Sequence, residues 1–163
     1  EISACLVGSE MCIRDSVEDG RVADFLMNDK CSAGTGRFLD VMANTLGLAP
    51  EALYTLAACG SGVHISSMCT VFAESEVISL IGRGEKKENI AYAVVDSIVT
   101  KVAAQTVRLL PADGPMCLTG GLCEARVLVD ALSGVLKRTV LTCPDGRYAG
   151  ALGAAILAGG STA

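Results

Sequence analysis

Apolar and polar positions recur with a helical period over most of the chain and with a strand period only in short stretches. Glu18-Asp19-Gly20 reads as a turn, and Val22, Phe25 and Met27 after it suggest a short strand with imperfect alternation. Phe38, Leu39, Met42 and Leu46 fall on one side of a helix of about twelve residues that Gly47 ends. Pro50 opens a second short helix, a usual place for proline. Gly60 and Gly62 break the chain before a predicted strand at 63–66. A helix is predicted over 70–81, ended by Gly82 and Gly84. The longest helix covers 87–110, where Ile90, Val94, Ile98 and Val102 recur every four residues as a core stripe. Pro111 and Gly114-Pro115 stop it. The last third alternates: a strand at 116–119, a helix at 124–136, a strand at 139–142 and a closing helix at 148–157 rich in Ala and Gly. Strand–helix–strand order implies a parallel pair with a right-handed crossover.

Composition narrows the class. The 163 residues suffice for one domain with a real core. Half are apolar (51%), aromatics are only 4% and Trp is absent, which suits small-residue packing of helices on a sheet. A net charge of −5 argues against a nucleic-acid groove. The only compact basic run, 83–87, is broken by Gly84 and Glu85 and reads as a solvated turn. The eight cysteines are too dispersed for a stapled scaffold, and no CxxC pair occurs. A reduced, cytoplasmic protein is the expectation. No 18-residue apolar run exists, so no membrane span is expected, and residues 1–16 lack the pattern of a signal peptide.

The candidate chemistry lies at two helix mouths. Cys31 precedes the first predicted helix in Asn28-Asp29-Lys30-Cys31-Ser32-Ala33-Gly34-Thr35-Gly36-Arg37-Phe38. Cys69 precedes another in Ser67-Met68-Cys69-Thr70-Val71-Phe72-Ala73-Glu74-Ser75-Glu76. A helix N-terminus carries about half a positive elementary charge, which favours ionised sulfur, the form that ligates metal. One chain offers two such sulfurs, an iron–sulfur cube takes four, and a two-fold pair of chains supplies them. Gly34-Thr35-Gly36 can turn backbone N–H groups toward an anion, although many ordinary turns share this pattern. Leu118-Thr119-Gly120-Gly121 ends a strand where missing side chains let a flat ring or ribose approach, and an ordinary turn reads the same way. No Walker-type loop occurs. His64, the only histidine, reads as satisfied or solvated. Cys59, Cys117 and Cys143 read as small core residues, Cys123 could border a ligand, and the small-residue face 150–155 suggests close helix packing.

Together, the long Cys31 and Cys69 motifs, followed in order by Leu118-Thr119-Gly120-Gly121 and Gly150-Ala151-Leu152-Gly153-Ala154-Ala155, closely resemble the activators (component A) of 2-hydroxyacyl-CoA dehydratases. That family includes the ATPase subunits of benzoyl-CoA reductase. The resemblance covers residues 18–158, leaving 1–17 as an unmatched, artefact-like segment and 159–163 as a tail. It implies an α/β fold with a mixed sheet flanked by helices, the second lobe of the actin/chaperone/sugar-kinase (ribonuclease H-like) ATPase fold. It implies a homodimer with one 4Fe–4S cluster, ligated here by Cys31 and Cys69 of each chain. ATP or ADP with Mg would bind between lobes, near Gly34, Thr35 and Gly36 on the phosphate or ribose side and Gly120 and Gly121 on the adenosine side. One electron would pass from ferredoxin or flavodoxin to a dehydratase, with no covalent nucleophile in this chain. The family's Asp-x-Gly-Ser loop, first lobe and Asp-x-Gly-Gly motif are not in this sequence. Cys123-Glu124-Ala125-Arg126 stands where the family carries an Asn after the glycines. A benzoyl-CoA reductase subunit and a non-redox sugar-kinase-like lobe are the alternative readings.

Overall fold

The computed structural model describes residues 12–28, 36–66, 69–109 and 114–160. The chain opens with a hairpin of β1 (Cys12–Glu18) and β2 (Arg21–Asn28), paired antiparallel with Glu18 opposite Arg21. Asp19 and Gly20 both adopt positive φ, 49° and 76°, the geometry of a two-residue turn whose twist matches the strands. β1 falls in the segment expected to match nothing, and no strand was expected there. Its polar, charged sequence hides the strand period, and pairing with β2 supplies what the pattern lacks. A bulge beside Ser16 and Val17 inserts one extra residue opposite, which accounts for the broken alternation of Val22, Phe25 and Met27. All three are exposed.

Four helices follow: α1 (Gly36–Thr45), α2 (Pro50–Ala57), α3 (Thr70–Gly82) and α4 (Lys87–Thr106). The predicted strand at 63–66 is irregular backbone. Its polar groups go elsewhere: the Ser66 N–H and hydroxyl both donate to the Glu76 carboxylate at 2.8 and 3.0 Å. The last third holds β3 (Met116–Cys117), α5 (Arg126–Leu136), β4 (Val140–Leu141) and α6 (Ala149–Gly159). β3 and β4 pair in parallel, Met116 with Val140 and Cys117 with Leu141, as the strand–helix–strand order predicted. The fold is mixed α/β. Among the described residues the strands form two pairs, β1 with β2 and β3 with β4.

α4 is the spine of the core. Ile90, Val94 and Ile98 are fully buried among Phe38, Leu39 and Met42 of α1, Leu53 of α2, Val77 of α3, and Leu128 and Leu132 of α5. Lys87–Leu109 is long and apolar enough, by length and composition, to cross a membrane, contrary to the sequence expectation. Its buried face marks it as a core helix. Between β1, α4, α5 and β3 lies an apolar cavity of about 330 Å³. The Arg14 guanidinium is buried at its edge without a hydrogen-bond partner. The solvated-turn reading of the 83–87 run holds: Arg83, Lys86 and Lys87 are exposed.

Tyr54 of α2 sits half-buried. Burial first, then the Asp40 and Glu51 carboxylates, push its phenol from 10.0 up to about 12. A group whose folded pKa is raised gives stability that is whole below the unfolded pKa and lost as pH rises through the folded one. Chemical denaturation between pH 10 and 12 should therefore show wild-type stability falling with pH more steeply than that of Tyr54→Phe. Equal slopes would show that Tyr54 ionises freely.

Candidate functional site

Cys69 caps α3. Its backbone is extended (φ −98°, ψ 135°), and its carbonyl accepts the Ala73 N–H at 2.9 Å. Its thiol is free and exposed and makes no capping hydrogen bond. Directly beside it, Val71 and Phe72 are 67% and 66% exposed, and Ile78 and Ile81 extend this apolar surface along the helix. α3 is fixed to the core through Ala73 and Val77, and to α1 through a hydrogen bond from the Thr45 hydroxyl to the Glu74 carboxylate at 3.0 Å. Glu74 and Glu76 thus serve as anchors as well as suiting the positive end of the helix. Cys31, Gly34 and Thr35 lie outside the described residues. Gly36 is the first residue of α1.

Gly120 and Gly121 form the second candidate region, at the C-terminal ends of the parallel strands, where open α/β sheets place ligands. Gly120 has φ 82°, which favours glycine. Its N–H donates to the Gly146 carbonyl at 2.9 Å, joining the turn after β3 to the turn after β4. No atom lies within 4 Å of the place a Gly121 side chain would begin, so that side of the backbone is open. The rim is polar: Arg147 pairs with Glu124 at 3.0 Å and lies over the Tyr148 ring at 5.3 Å. The two regions stand on different parts of the fold. α3 packs on α1 and α4, whereas the Gly121–Glu124 turn packs on α5 and the Gly146–Tyr148 turn.

Other sequence expectations fare unevenly. His64 is exposed and pairs with Asp96 at 3.3 Å, the solvated histidine expected. Cys59 is exposed, not core, because it lies past the end of α2 with its thiol directed to the Thr55 carbonyl. Cys117, Cys123 and Cys143 are half-buried, and the Cys123 and Cys143 sulfurs meet beside Gly146, a proximity no spacing in the sequence reveals. In α6, Gly150 is buried, while Gly153 faces open space and Leu152, Ile156 and Leu157 are exposed. Among the described residues, no three His, Cys, Asp or Glu side chains are arranged to hold a metal ion.

The chain has clear counterparts among known proteins. Residues 3–158 match the BadF/BadG/BcrA/BcrD ATPase family, and the chain belongs to that family. The match starts well ahead of Glu18. The chain is 44% identical over 144 residues to the (R)-2-hydroxyglutaryl-CoA dehydratase activating ATPase of Acidaminococcus fermentans, covering 87% of this chain and 55% of that relative. It is 40% identical to the activator of lactoyl-CoA dehydratase of Anaerotignum propionicum, covering 86% and 54%. The activator of the 2-hydroxyisocaproyl-CoA dehydratase from Clostridium difficile, solved with bound ADPNP, superposes with a TM-score of 0.86 at 35% identity, over 93% of this chain and 57% of that one. The chain thus spans about half the length of these relatives, and its fold is that of the actin-like ATPases.

Proposed function

We propose that this chain is the second lobe of a cytoplasmic, ATP-dependent activator of a 2-hydroxyacyl-CoA dehydratase, working as a homodimer. The observation that carries the reading is Cys69: a free, exposed thiol at the mouth of a thirteen-residue helix, bordered by exposed Val71 and Phe72. That donor chemistry fits a 4Fe–4S cluster held by Cys31 and Cys69 of each of two chains. Held there, the cluster would supply one-electron chemistry, with ferredoxin or flavodoxin as the electron source and the dehydratase as the acceptor. The chain's own residues do the rest. Cys69 offers its sulfur at the positive end of the α3 dipole, which favours negative charge. Val71 and Phe72 supply apolar surface for a second copy and keep water from the sulfur's flank. Gly120 and Gly121 offer bare backbone to the adenosine side of ATP or ADP with Mg, and Gly34, Thr35 and Gly36 offer amides to its phosphates. Nucleotide closure is coupled to the cysteine end by the packing of α3 on α1 and α4.

Anaerobic reconstitution with iron and sulfide tests the reading. A brown dimer with one cluster per two chains is the expected product. A colourless monomer with no bound iron overturns it.

A further inference from the structure

Two thiols that the proposed activator chemistry does not use meet at Gly146. Cys123 follows the Gly120–Gly121 turn and Cys143 follows β4, and both are free and half-buried. A side chain starting at Gly146 would meet the Cys143 sulfur at 3.2 Å and the Cys123 sulfur at 3.3 Å. Both sulfurs therefore border one point and lie no further apart than those two distances laid end to end. With glycine at 146, no side chain fills the space they share. Backbone hydrogen bonds fix the two loops on each other: Gly146 N–H donates to the Cys143 carbonyl at 3.0 Å, Gly120 N–H to the Gly146 carbonyl at 2.9 Å and Cys123 N–H to the Gly120 carbonyl at 3.0 Å. The ordering cost of bringing the sulfurs together is thus largely met by the fold. A small reagent has access, because Glu124, Pro144 and Asp145 beside the thiols are exposed. Cys117 also neighbours Cys143, but its thiol is directed to the Leu118 carbonyl at 3.9 Å and its sulfur stands more than 4 Å from the place where the other two meet.

We infer that Cys123 and Cys143 form an oxidisable dithiol beside Gly146, closed to a disulfide by small-molecule disulfides. One protein thiolate attacks the reagent and releases one small thiol. The second protein thiolate then attacks the mixed disulfide and releases the other. The protein loses two electrons and two protons, and one small disulfide becomes two small thiols. Cys117 stays reduced. The new bond ties the Gly121–Glu124 turn to the loop after β4, across the same junction that the Gly120–Gly146 hydrogen bond spans. Any effect on nucleotide rests on the function proposed above, but the cross-link does not.

The test uses the full chain, reduced anaerobically, exposed to 2-hydroxyethyl disulfide, quenched with N-ethylmaleimide and mapped by mass spectrometry. This reagent is uncharged, so the Glu124 carboxylate does not repel it. The expected product joins the Cys123 and Cys143 peptides, two hydrogens lighter, with Cys117 alkylated. Cys123→Ser and Cys143→Ser, with Cys123→Ala as a second variant, should each lose that product more than tenfold, whereas Cys117→Ser retains it. Recovery of Cys123 and Cys143 alkylated, as separate mixed disulfides, or with Cys143 joined to Cys117 or to any other cysteine overturns the inference. The readout needs neither iron nor ATP, so it stands apart from any failure of reconstitution.

Discussion

Cys69→Ser should remove the bound iron while leaving the fold at least as stable as the wild type. The thiol makes no capping hydrogen bond, whereas a serine hydroxyl at the same position can accept one from the first turn of α3, a gain of about 1 kcal/mol at most helix starts. Ligand loss and fold loss therefore separate. After anaerobic reconstitution, iron and sulfide per chain should fall by more than about tenfold, since even outer-shell changes at metal sites cost 10–100-fold. The thermal midpoint should hold or rise. Cys59→Ser is the matched control: that thiol is equally exposed but sits past the end of α2, and iron content should not change. Full iron loading of Cys69→Ser would rule out the cysteine as a ligand.

The second large effect is structural. At Gly60 the chain leaving α2 passes so close to the start of α4 that a methyl group would be driven into the Glu88 carbonyl and the Asn89 amide. Both obstacles are backbone, and the first turn of α4 is held in place by the buried Ile90 and Ala91. Gly60→Ala should therefore cost about 3 kcal/mol, the upper part of the range for overpacking, seen as a lower urea midpoint. Gly134→Ala, in α5 with nothing within 4 Å, should instead raise stability by about 0.5–1 kcal/mol. Similar effects at both positions would mean that α2 and α4 yield at this crossing.

The helices were legible because their apolar stripes are long and their stops are glycines: Phe38, Leu39 and Met42 are buried as predicted, and Gly47 follows the last turn of α1. The parallel pair was legible from element order alone. The sequence hid what depends on distant partners. β1 is a strand because β2 pairs with it, and Arg14, Asp15 and Ser16 give no apolar rhythm of their own. Val63 and Ile65 carry a strand's composition, yet Glu76 claims the polar groups of Ser66 and no ladder forms. At the candidate site, the helix-mouth position of Cys69 could be read from its motif. The meeting of Gly120 with Gly146, and of Cys123 and Cys143 beside it, arises where two loops fold back together, and no spacing along the chain encodes that.

The hydrogen bond from Thr45 to Glu74 has a mechanical meaning. It fastens the far end of the helix that follows the Cys31 loop to the second turn of the helix that Cys69 opens. Tilting one helix without the other would break this bond, a net loss of about 1 kcal/mol. The two helices are thereby yoked, and a shift at one is felt at the other.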